Sequence, residues 1–118
     1  MNDARDNTGK TAAERFAAIR EYFLACLNFC GHSRTELYHR PKPGDLREPT
    51  EEELVRRWAE TISVPLNDIL IGIKRAFEEA PDRGHVVTSF RYCVPHIVKR
   101  AHEMKYSRVG SLQTGRGA

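Results

Sequence analysis

The stretch from Val64 to Ala80, VPLNDILIGIKRAFEEA, constrains the fold more than any other part of the chain. Leu66, Ile69, Ile73 and Phe77 recur at spacings of three and four with Leu70 beside them. A helix here carries one broad apolar stripe, which must be covered by something other than water. Two neighbouring helical segments can cover it, one centred on Trp58 and one running from Ser89 to about Lys105. The expected fold class is all-α.

The 118 residues suit one domain with a modest core. No apolar run approaches the roughly 20 residues that span a bilayer, and the polar N-terminus has no signal-peptide core. No membrane association is expected, and the expected location is cytoplasmic. Cys26, Cys30 and Cys93 are an odd number of cysteines, which argues against a disulfide framework.

Residues 1–10 are polar and aperiodic and read as a flexible arm. Order is expected from Thr11, which forms a capping box with Glu14 ahead of an amphipathic helix marked by Phe16, Ile19, Phe23, Cys26 or Leu27, and Cys30. Gly31 is placed to stop it. Pro41, Pro43, Gly44 and Pro49 then make His32 to Pro49 a long Pro-rich loop, either packed through Leu37 and Tyr38 or separating the first helix from the rest.

Thr50 with Glu53 begins a second helix, with Glu51 and Glu52 adding negative charge at its N-terminus and Leu54, Val55, Trp58 and Ile62 on its apolar side. Pro65 separates it from the third helix. Gly72 inside that third helix costs about 1 kcal/mol relative to alanine, for which close approach of another backbone is the usual compensation. After a loop at Ala80 to Thr88, a fourth helix is marked by Phe90, Val94, Ile97, Ala101 and Met104. Pro95 is expected to kink or divide it. The expected architecture is thus a small four-helix domain over residues 11–106, its bundle core at 50–105, followed by a disordered basic tail at 107–118.

Charge is unevenly spread. From Arg83 onward seven basic residues face one acid, Glu103, whereas the first 82 residues carry an acidic excess. The C-terminal third is therefore where a polyanion is expected to dock. Arg91, Lys99, Arg100 and Lys105 lie on or beside the fourth helix, and Tyr92 stands off its apolar stripe. Cations interleaved with an aromatic ring are how single-stranded nucleic acid is held, phosphates by charge and bases by stacking.

Other constellations are less suited to chemistry. Cys26, Cys30, His32 and His39 have zinc-binding side chains, but the cysteine spacing is not a zinc knuckle, and both cysteines read as small hydrophobes on the first helix. No metal or other cofactor is expected. His85, His96 and His102 lack a nucleophile in a recognisable turn, and there is no phosphate loop, HExxH or paired-carboxylate signature, so the chain is not expected to be an enzyme.

The segments TEEELVRRWAE, ILIGIKRAF and SFRYCVPHIVKR, in that order, resemble the C-terminal helical domain of the DnaD-type primosomal proteins over roughly 50 residues, from Pro49 to about Arg100. Tyr92 takes the tyrosine position of that family's last helix, Ile97 lies one position off its apolar position, and the closing Trp is absent. The resemblance implies DNA binding and a helicase or nucleoprotein complex as partner, in replication or a mobile element's handling of its DNA. Two other readings stand beside it. One is a protein-protein adaptor or inhibitor acting, alone or as an oligomer, through the stripe Phe16, Ile19, Phe23 and Leu27. The other is a helix-turn-helix regulator using the third or fourth helix.

Overall fold

A computed structural model of the chain describes residues 9–40 and 49–104. The expected N-terminal arm, the basic tail and the prolines Pro41 and Pro43 lie wholly or mainly outside them. Among the described residues there are four α-helices and no strand: α1 (Ala12–Phe29), α2 (Glu51–Glu60), α3 (Leu66–Glu79) and α4 (Phe90–Glu103). A short 3-10 turn, Pro81–Arg83, follows α3.

The helix ends obey local rules. Thr11 and Glu14 form the reciprocal capping box, the Thr11 hydroxyl accepting from the Glu14 N–H at 3.2 Å while Oε1 of Glu14 accepts from the Thr11 N–H at 2.9 Å. At the other end of α1, Gly31 has φ +97°. Its N–H donates to the Asn28 carbonyl and that of His32 to the Leu27 carbonyl, a Schellman stop that only a left-handed residue permits without strain. Thr50 and Ser89 cap α2 and α4 through their hydroxyls.

The four helices share one core. Ile19, Phe23 and Leu27 from α1, Leu54, Val55 and Trp58 from α2, Ile69 and Ile73 from α3, and Phe90 and Ile97 from α4 are fully buried. Phe23 meets the edge of Phe90 at a ring separation of 5.3 Å. The core thus extends beyond residues 50–105 to include α1. Helices α3 and α4 come close together at Gly72, where an added β-carbon would lie 2.6 Å from Ile97 Cα. The expected compensation for a mid-helix glycine is present there.

Two buried charged side chains, neither singled out by periodicity, tie the elements together. Arg15 is fully buried, and its guanidinium donates to the carbonyls of Ala59 at 2.8 Å, Trp58 at 3.3 Å, Thr61 at 3.0 Å and Val64 at 2.7 Å. It therefore places a positive charge on the carbonyl end of α2 and fastens α1 to the turn before α3. Glu51, also buried, accepts from the backbone N–H groups of Tyr38 and Phe90, each at 2.8 Å, and pairs with Arg34. One carboxylate thereby closes the N-terminus of α4 and anchors the segment after α1. That segment packs through buried Leu37, and the Arg34 guanidinium lies 3.8 Å from the centre of the Tyr38 ring.

Of the two outcomes expected at Pro95, a kink or a division, the division does not occur: α4 runs unbroken through it. The ring is on the exposed side, where the carbonyl left without a donor can be hydrated. Cys26 and Cys30 are not core residues as a pair. Cys30 is exposed at the C-cap of α1, Cys26 is half-buried, and the fully buried thiol is that of Cys93, whose pKa burial pushes well up.

Candidate nucleic-acid interface

Ser89 starts α4 and thereby fixes which faces its side chains occupy. Phe90, Cys93, Val94, Ile97, Val98 and Ala101 take the core side. Tyr92, His96 and Lys99, spaced four and three apart, fall on one outer face. The basic residues expected to act together are divided by this geometry.

Arg100 turns away from solvent, its Nε–H donating to Asp68 Oδ1 at 2.7 Å, with side chains 20% and 8% exposed. Arg91 donates to the Pro49 carbonyl and is half-buried. Both serve packing between elements. Lys99 is exposed and forms no ion pair among the described residues. Lys105 lies outside the described residues.

Tyr92 is half-buried and packs against the core. The His96 ring stacks on it at 5.7 Å and 24°. His85 sits edge-on to it at 5.9 Å, with Nδ1 3.2 Å from the Tyr92 hydroxyl. The tyrosine is thus the middle of a three-ring row, whose exposed member is His85. The i, i+4 spacing of Tyr92 and His96 carries a signal in the sequence that joins those two rings, whereas His85 reaches Tyr92 only through the fold.

Around His96 the field is mostly positive. Burial lowers its pKa from the ordinary value; Glu79 opposes that, and Arg83, Lys99 and Arg75 reinforce it. Glu79 Oε2 lies 3.8 Å from His96 Nδ1, and its Oε1 lies 3.6 Å from Arg83. Arg75 pairs with Glu103 at 2.7 Å, which holds the Glu103 carboxyl below its usual range. The surface is therefore a row of rings with Arg83 and Lys99 near His96, and with Glu79 facing both His96 and Arg83.

Among the described residues no three of the His, Cys, Asp or Glu side chains are arranged to hold a metal ion, and no helix is long and apolar enough to cross a membrane. Comparison with protein-family profiles, curated proteins and solved structures found no match.

Proposed function

We propose that this chain is a non-enzymatic DNA-binding accessory protein that meets phosphates with the outer face of α4 and the adjoining 3-10 turn. The observation that carries the reading is the ring row His85, Tyr92 and His96 with Arg83 and Lys99 both within electrostatic reach of His96. Its support is electrostatic: this face lies in the part of the chain holding the basic surplus, and the sequence continues past it with Lys105, Arg108 and Arg116. The resemblance to DnaD-type domains supports the same reading and suggests a replicative helicase or nucleoprotein complex as the setting.

The rival readings have less to stand on. Ile19, Phe23 and Leu27 are fully buried, so most of the α1 stripe that an adaptor would present is occupied by the chain's own core. Ten residues, 80–89, separate α3 from α4, against the three or four of a helix-turn-helix, which weighs against α4 as its reading helix.

The test is titration of fluorescently labelled single- and double-stranded DNA at two salt concentrations, with the wild type and Lys99→Glu. Binding should weaken steeply with salt and weaken further in the variant. Absence of binding to either DNA at low salt would overturn the reading.

A further inference from the structure

Resting on the DNA reading, we infer that His85 is the ring on which a nucleobase stacks, and that the preferred ligand is single-stranded DNA. Tyr92, the aromatic that the sequence offers for this role, is already engaged. His96 stacks on it, the core packs against it, and its hydroxyl meets His85. A base could reach it only by displacing those partners.

His85 is differently placed. It is exposed, and the turn that carries it has a defined shape: Gly84 takes a left-handed φ of +71°, its N–H donates to the Pro81 carbonyl at 3.0 Å, and the His85 N–H donates to the Ala80 carbonyl at 2.8 Å. The Tyr92 hydroxyl then orients the imidazole from one end. A ring held this way loses little conformational freedom when a base stacks on it. Val86, 68% exposed, adds apolar surface directly beside it.

Cations complete the arrangement. Arg83, two residues before His85, is exposed and spends its charge on a surface pair with Glu79, which is worth little in water. Lys99, three residues along α4 from His96, lies within its electrostatic reach, as Arg83 does. A strand running along the rings therefore has two cations in reach of its phosphates. A duplex keeps its base faces stacked inside and offers phosphates and groove edges but no face to stack on. Discrimination therefore falls on His85, and Lys99 serves both ligands.

The experiment is an anisotropy titration of a labelled oligothymidylate of about 15 nucleotides, within the usual site size, and of a duplex of equal length. Wild type, His85→Ala, His85→Trp, Tyr92→Phe and Lys99→Ala are compared. His85→Ala should weaken single-strand binding about 5-fold or more, the low end of what one stacked base contributes, and leave duplex binding within about 2-fold. His85→Trp should restore it, Tyr92→Phe should fall between, and Lys99→Ala should weaken both ligands. If His85→Ala binds the single strand like wild type while Lys99→Ala weakens both, the stacking role of His85 is overturned and the DNA reading stands. If the wild type binds neither ligand at low salt, both are overturned.

Discussion

The Nε–H of Arg100 donates to Oδ1 of Asp68 at 2.7 Å, and this pair joins α4 to the first turn of α3. Two adjacent cations in the sequence, Lys99 and Arg100, thus have separate duties. Arg100 holds helices together, and Lys99 faces solvent. Substituting them singly should separate stability from binding. Arg100→Ala should cost about 1.5–3 kcal/mol, the range for a hydrogen bond to a charged partner, as read by urea unfolding. Lys99→Ala should leave the unfolding midpoint nearly unchanged and weaken DNA binding. Equal loss of stability in both variants would contradict the division.

Gly72→Ala tests the α3–α4 contact. Alanine favours a helix by about 1 kcal/mol over glycine in isolation, so a solvent-facing site would be stabilised. Here the new methyl would meet Ile97 Cα at 2.6 Å and its N at 2.9 Å, and backbone cannot yield as a flexible side chain does. The expected result is net destabilisation of about 1–3 kcal/mol from overpacking, seen as a lower urea midpoint. A higher midpoint would show that the helices do not approach so closely.

Glu51→Ala should be among the most damaging single changes. It removes the acceptor for the N–H groups of Tyr38 and Phe90 and leaves Arg34 without its carboxylate in a largely buried site. Breaking a buried pair by removing one partner costs about 3–5 kcal/mol, a large part of the roughly 5–15 kcal/mol that stabilises a small domain. Glu52→Ala, one residue away and half-exposed, should cost far less. Thermal unfolding of the two variants compared would check this.

The pH dependence follows from His96. Its folded-state pKa is lower than its unfolded one, chiefly through burial, so the unfolded chain binds the proton more readily. The stability contributed by neutral His96 is complete above the ordinary histidine value of about 6.5 and is lost as pH falls through and below it. His96→Gln should flatten the slope of melting temperature between about pH 7 and pH 5. Glu103, whose folded-state carboxyl is held down by Arg75, acts in a separate and more acid window. An unchanged slope in His96→Gln would assign the dependence to another group.

Glu79 limits the binding face. It draws on both Arg83 and His96, two groups of the proposed binding face. Glu79→Gln should tighten DNA binding several-fold at low salt, with the gain shrinking as salt rises. Weaker binding would mean that Glu79 positions the site and does not oppose it.

Periodicity and capping made the helices legible. The Thr11–Glu14 box, the Gly31 stop and the Gly72 approach all follow from local rules, and each has a counterpart in the fold. What sequence could not separate was charge that packs from charge that faces water. Three successive glutamates open α2, yet only Glu51 is buried, because its neighbours in space come from residues 34–38 and from α4. Arg15 carried a fainter signal: it stands four residues before Ile19 and eight before Phe23, in line with the core stripe, where a solvated arginine has no place. Pairings across the bundle also divided the expected basic face. Arg91 and Arg100 resemble Lys99 in composition and differ only in what the fold puts opposite them.

The most direct test of the α4 face as a DNA site is amide chemical-shift mapping of the uniformly nitrogen-15-labelled protein titrated with a short oligothymidylate. Shifts should concentrate at Arg83, His85, Val86, Tyr92, His96 and Lys99, with α2's outer residues Glu53, Arg57 and Glu60 unmoved. Shifts confined to α1 around the exposed Phe29, or no shifts at all at low salt, would contradict it.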